Sequence, residues 1–248
     1  MVYSYNTKIK IYSDNTFKIK KTSFNILKGI PRDLKHTGNC SLEKKEQLNK
    51  EYLKYTKTQI LDLALNNQDK WELFLTLTFN DLELGGYSHE KAIKKLCNWL
   101  IVQRRNNPNM YYLIVPEFHK SGRLHFHGLV GNVPNWILEE ATNDKGKKIR
   151  VNGKQIYNLK NYKLGFSTVS YIQDKQKVSN YISKYVTKEL IDLKHKKRYW
   201  YSRNIDYPRT YFTYFEGNII DLNKHYDLLF YKDIKKDNCL ISIANFHL

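Results

Sequence analysis

The chain is short of acid. Asp and Glu number 24 against 42 Lys and Arg, a formal net charge of +18. A surplus of that size points to a polyanionic partner, nucleic acid above all, although generic basicity would account for the charge alone. Cysteine is scarce as well. Cys40, Cys97 and Cys239 lie far apart with no paired spacing, which excludes a cysteine-based zinc site and points to a reducing compartment. No apolar run approaches the roughly 20 residues of a membrane span, and the basic N-terminus has no apolar signal core. A cytoplasmic protein without a membrane partner is therefore expected. Internal repeats, low-complexity blocks and obvious linkers are also missing. What is present suffices for a core: 248 residues, 41% of them hydrophobic, hold one good-sized domain with extensions and exclude a disordered chain.

Strand and helix periods alternate along the chain. Tyr3 to Tyr12 and Thr16 to Lys21 read as a basic strand pair turning at Ser13-Asp14-Asn15. Residues 42–66 read as a helix, with Leu48, Tyr52, Tyr55, Ile60 and Leu63 roughly in period. Trp71 to Phe79 reads as a buried strand with little polar face. Ser88 caps a helix to about Arg105. Met110 to Phe118 and Leu124 to Val130 form a hairpin. A polar, basic insertion follows at 142–163, with a short strand pair around Gly153. Leu164 to Ile172 is a strand, Gln176 to Leu193 a helix, and 198–203 and 209–215 are short aromatic strands. The pattern predicts an α+β fold with a mostly antiparallel sheet. We divide it into a basic extension at 1–69, a central domain at 70–215 and a second extension at 216–248.

The segment Glu117-Phe118-His119-Lys120-Ser121-Gly122-Arg123-Leu124-His125-Phe126-His127 carries the chemistry. Alternate strand residues share a face, so His125 and His127 project together while Phe126 enters the core. If Phe118 pairs with Leu124 across a five-residue turn, Glu117 lies opposite His125 on that face. Two imidazoles and one carboxylate then form a ligand set that suits Mn²⁺, or Mg²⁺ completed by water and phosphate. His119 competes with Glu117 for the third place. A bare His-x-His also fits a half-exposed strand; the placed Glu117 and the Ser121-Gly122 turn favour the ligand set.

Downstream, Tyr181-Ile182-Ser183-Lys184-Tyr185-Val186-Thr187-Lys188 sets two tyrosines one helical turn apart, each with a lysine three residues on. Val178, Ile182, Val186, Leu190 and Leu193 define the apolar stripe, with both tyrosines beside it. Tyrosines at a core edge also fit packing alone. The spacing allows each phenol an ammonium, able to stabilise phenolate or hold phosphate. Helix geometry places Lys188 on the tyrosine flank and Lys184 nearer solvent. A metal pair and displayed tyrosines in a strongly basic chain point to metal-assisted attack of tyrosine on a nucleic-acid phosphate. Cations and rings at Lys196, Lys197, Arg198, Tyr199, Trp200 and Arg203 are the candidate DNA contacts, and Lys145 to Arg150 is a second basic loop.

Phe74-Leu75-Thr76-Leu77-Thr78-Phe79, the Glu117…His125-Phe126-His127 block and Tyr181 to Lys188 occur in the order of the three motifs of HUH rolling-circle replication initiators. The chain resembles the two-tyrosine type of small single-stranded DNA phages and plasmids, over roughly residues 70–215. Tyr199 to Asn204 also resembles a segment that often follows the tyrosine helix there. The resemblance implies a central five-stranded antiparallel sheet with flanking helices, similar to an RNA-recognition-motif palm. It implies a Mg²⁺- or Mn²⁺-dependent nick of single-stranded DNA at an origin or hairpin in a bacterial host cell. The implied product is a 5′-phosphotyrosine with a free 3′-hydroxyl. No G-x-x-x-x-G-K-[ST] sequence occurs, so unwinding is expected from a host helicase, and synthesis from a host polymerase. By this resemblance Tyr185 and Tyr181 are the nucleophiles, assisted by Lys188 and Lys184, with Tyr185 favoured for the first attack. A non-catalytic nucleic-acid binding module and a related transposase or relaxase are the alternatives.

Overall fold

The computed structural model describes residues 3–28, 42–81, 86–151, 153–187, 198–236 and 238–248. The fold is α+β, and every strand pairing among the described residues is antiparallel. Two compact units emerge: residues 41–206, and residues 1–40 together with 207–248. These limits differ from the sequence division at 69 and 215.

The chain begins in the smaller unit with β1 (Tyr3–Ile11) and β2 (Thr16–Lys28). Asn15 takes a left-handed conformation, φ 62°, which Asn tolerates better than most residues. The Asp14 carboxylate accepts from the Thr16 amide at 3.0 Å.

The larger unit contains α1 (Leu42–Asn66), β3 (Leu73–Leu77), α2 (His89–Asn106), β4 (Tyr111–Phe118) and β5 (Leu124–Gly131). Short strands follow: β6 (Leu138–Glu140), β7 (Arg150–Val151), β8 (Lys154–Gln155) and β9 (Tyr157–Leu159). Next come β10 (Ser167–Tyr171), α3 (Lys175–Ile182) and β11 (Trp200–Tyr201). Its main sheet has seven strands in the order β11-β4-β5-β3-β10-β9-β6, where five were expected. The additions have a local cause: the 142–163 insertion and its approach fold back as β6 and β9, and Trp200-Tyr201 adds a short edge beside β4.

The two faces of this sheet do different work. On β3, Leu73, Leu75 and Leu77 are buried while Phe74 and Thr76 are only half-buried. The strand is therefore alternating, not uniformly apolar as its composition suggested. Opposite the Phe74 face, Trp99, Tyr162, Phe79, Phe126 and Trp200 contact one another in turn edge-on, with centroids 5.6–6.1 Å apart. Trp99 ties α2 into that side.

The core face of α1 differs from the expected stripe. Ile60, Leu63 and Ala64 are fully buried, but Leu48, Tyr52 and Tyr55 are exposed, so only the C-terminal half of the helix joins the core. The buried Ser179 hydroxyl donates to the Ala64 carbonyl at 3.1 Å and fastens α3 to α1.

The chain returns to the smaller unit as β12 (Arg209–Thr213), β13 (Asp227–Lys236) and β14 (Cys239–His247). Its sheet runs β12-β1-β2-β14-β13. Phe17, Ile19, Ile219, Ala244 and Phe246 form its separate core. The long β13–β14 hairpin had no counterpart in the sequence reading. The aromatic strand at 209, assigned there to the central domain, pairs with β1. Among the described residues no helix is long and apolar enough to cross a membrane.

Candidate active site

The β4–β5 hairpin has the register that a five-residue turn requires: Phe118 faces Leu124 and Glu117 faces His125. His119 donates its amide to the Arg123 carbonyl and accepts from the Gly122 amide, both at 2.8 Å. Gly122 sits at φ +79°, a left-handed conformation that costs a residue with a Cβ about 1–2 kcal/mol. A glycine at this point therefore helps to set the pairing of Glu117 with His125.

Glu117 and His127 are in direct contact, with Oε2 and Nε2 2.8 Å apart. Burial, and then the neighbouring His125, hold His127 down to about 3. The contact at neutral pH is thus a hydrogen bond from a neutral imidazole to the carboxylate, not an ion pair. The other ring nitrogen, Nδ1, lies 3.0 Å from the Thr76 hydroxyl, and Thr76 is the cross-strand partner of His127. Burial also lowers His125, assisted by His119, and raises Glu117 against the opposing pull of His125 and His119.

His125 stacks on His119, centroids 4.7 Å apart and planes 9° from parallel, and the His119 Nδ1 is 3.0 Å from the Ser121 hydroxyl. Among the described residues no three His, Cys, Asp or Glu side chains form a ready metal-holding group. The donor chemistry nonetheless fits a divalent ion. Two neutral imidazoles and a carboxylate lie on facing positions of adjacent strands, and neutral nitrogen is the form a metal needs.

The tyrosine segment departs from the expected long helix. Asp174 caps α3, its side chain accepting from the Lys177 amide, and the α-helix ends at Ile182. A 3₁₀ turn, Ser183–Tyr185, continues it, and Val186 is extended. The β-branched pair Val186-Thr187 disfavours helix here. Leu190, Leu193 and the candidate Lys188 lie outside the described residues.

Both tyrosines come to the histidine face. The Tyr185 ring stacks on His127 with centroids 3.7 Å apart and planes 10° from parallel. Tyr181 meets Tyr185 edge-on at 5.4 Å. Phe74 lies beneath all three rings, 6.1 Å from His127, 6.1 Å from Tyr181 and 6.3 Å from Tyr185. Burial pushes the Tyr185 phenol well up, and hydrogen bonding to Tyr181 adds to this. Tyr181 is 44% exposed. Lys184 does not point away from the tyrosines as helix geometry predicted: its Nζ sits 5.3 Å from the centre of the Tyr181 ring. Beside Tyr181 a cavity of about 490 Å³ opens between α3 and β10, walled by Phe74, Tyr171, Ile172, Val178 and Lys184.

Two members of this cluster escaped the sequence reading as individuals. Phe74 and Thr76 were seen only as part of an apolar strand. Their alternate positions in β3 were the signal, because residues two apart share the face that His127 occupies.

The DNA-contact candidates divide. Lys196 and Lys197 lie outside the described residues. Arg198, Tyr199 and Arg203 line a cavity at the β11 edge. Trp200 lines its wall but is only 7% exposed and packs on Phe126, so its indole is a core side chain rather than a platform for a base.

The family of replication-associated proteins of the ORF2 type matches this chain over residues 72–190. The matched stretch runs from β3 past α3 and contains the whole cluster of Phe74, Thr76, Glu117, His125, His127, Tyr181 and Tyr185. This similarity supports a replication initiator. No curated protein and no solved structure matches the chain.

Proposed function

We propose that the chain nicks and rejoins single-stranded DNA to start rolling-circle replication, as an HUH-type endonuclease of the two-tyrosine kind with an RNA-recognition-motif-like palm. The observation that carries this reading is the ring stack of Tyr185 on His127 beside Tyr181, inside the segment similar to replication-associated proteins.

Glu117, His125 and His127 are the residues to hold Mg²⁺ or Mn²⁺. When bound, the ion would draw charge from a non-bridging phosphate oxygen. For His127 to present the Nε2 lone pair, its proton must sit on Nδ1, where the Thr76 hydroxyl can accept it. Thr76 thereby selects the tautomer and fixes the ring.

Tyr185 is the first nucleophile. Its Oη forms a bond to phosphorus as the bond from phosphorus to the 3′-oxygen breaks, and the phenol loses its proton in the same step. The products are a 5′-phosphotyrosine and a 3′-hydroxyl that a host polymerase can extend. Burial keeps the phenol protonated until substrate arrives, which protects the site from idle reaction. Tyr181 serves the second transfer, with the Lys184 ammonium beside it. A host helicase would supply the unwinding.

The test is incubation with labelled single-stranded DNA from the protein's own replicon, with and without Mn²⁺. A metal-dependent adduct that survives denaturant is expected. Binding without any adduct would make the chain a nucleic-acid binding module and overturn the enzymatic reading.

A further inference from the structure

A second concave site lies at the β11 edge of the larger sheet, with β4 between it and the histidine strand β5. The cavity measures about 750 Å³. Its walls come from three parts of the chain: Tyr52 on α1, Arg104 on α2, and Arg198, Tyr201 and Arg203 around β11. Three guanidinium groups therefore line one cavity, and among the described residues no Asp or Glu lines it.

The cations are arranged, not scattered. The Arg198 guanidinium lies 4.4 Å from the centre of the Tyr52 ring. Its Nε and Nη1 are buried without a hydrogen-bond partner among the described residues. Buried guanidinium donors left unpaired are costly, and an anion is their usual complement. Arg104 also acts on the Tyr112 hydroxyl, by charge and by a hydrogen bond. On the remaining side Tyr199 and Tyr201 stack with centroids 5.8 Å apart, and Tyr201 is 40% exposed. The space exceeds what a phosphate alone would fill, and the aromatic side offers a face to a planar ring.

We propose that this cavity holds a phosphodiester and its adjoining base from single-stranded DNA, with the phosphate on Arg104, Arg198 and Arg203 and the base against Tyr201. The site would grip the strand away from the tyrosine centre. Paired bases cannot present their faces, so the aromatic wall selects an unpaired strand. The inference rests on the single-stranded DNA reading above and not on the covalent step.

The test uses the full chain and a fluorescent twelve-nucleotide single strand, titrated at several salt concentrations. Arg104→Gln and Arg203→Gln should each weaken binding several-fold. Each should also make the slope of log affinity against log salt shallower by about 0.7, the loss of one phosphate contact. Arg104→Lys should recover the slope. Tyr201→Ala should weaken binding with the slope unchanged. Arg198 is left in place because its guanidinium packs on Tyr52.

Affinity and slope unchanged in both Gln variants would overturn the proposal. So would displacement of the strand by dTMP or inorganic phosphate at concentrations that leave Arg104→Gln unaffected, since the ligand would then be a free phosphate compound. Loss of affinity in the Gln variants alongside no covalent adduct in the unmodified chain would retain this site and reject the nicking reading. Normal adduct formation with unaltered binding in the variants would do the reverse.

Discussion

The Tyr185 ring lies flat on the His127 imidazole, 3.7 Å between centroids, and the same imidazole is held from the other strands by Glu117 and Thr76. One ring thus links the candidate nucleophile to the candidate metal donors. The β5 strand, the 3₁₀ turn after α3 and the β3 strand must all be in place for the link to exist.

Replacing Tyr185 by Phe removes one oxygen and leaves the stack on His127. Folding and DNA affinity should survive, while covalent linkage falls by orders of magnitude. Tyr181→Phe should spare the first nick and impair the second transfer. Denaturing gels of adducts from both variants and the double variant check this. An adduct in the double variant would exclude both tyrosines.

Thr76→Val keeps the β-branched shape and removes the hydroxyl that meets His127 Nδ1. Divalent-ion affinity should fall roughly 10–100-fold, the usual cost of losing a partner that orients a ligand. His127→Ala should abolish the site, and His119→Ala should matter far less. Calorimetric titration with Mn²⁺ reads all three; an unchanged affinity in Thr76→Val would remove Thr76 from the site.

Lys184→Ala deletes the ammonium over the Tyr181 ring. The second strand transfer should slow with little effect on the first nick. Quenched-flow adduct kinetics separate the two steps. Equal slowing of both would mean that Lys184 serves DNA binding generally.

Alkaline pH should unfold the larger unit through its buried phenols. Burial raises Tyr162, Tyr112 and Tyr87 above their ordinary value of 10.0. A phenol whose folded pKa exceeds its unfolded one contributes stability that is whole below about pH 10 and lost as the pH rises past it. Melting temperature should therefore hold to about pH 10 and then fall. The Tyr162 hydroxyl donates to the Thr78 carbonyl at 2.7 Å. Tyr162→Phe should cost about 1 kcal/mol at neutral pH and flatten the alkaline decline.

The chain's own residue order determined a good deal by itself. Period-two alternation, the Ser121-Gly122 turn and an odd-length loop were enough to place Glu117 opposite His125, because strand pleat and hairpin register are local geometry. Ser88 marked the start of α2 because an N-cap acts within one turn. Tertiary structure decided what local rules cannot see. Trp200 sits among aromatics as sequence reading expects of a stacking platform, yet Phe126, on the distant strand β5, makes it core. Leu48 and Tyr52 carry the helical period of a buried face, but that half of α1 stays exposed. The break after Ile182 turns Tyr185 onto His127, and Lys184 reaches Tyr181 instead of solvent. In each case the outcome turns on whether a distant strand or helix supplies a partner, and burial against such a partner outweighs the few tenths of a kcal/mol by which local propensities differ.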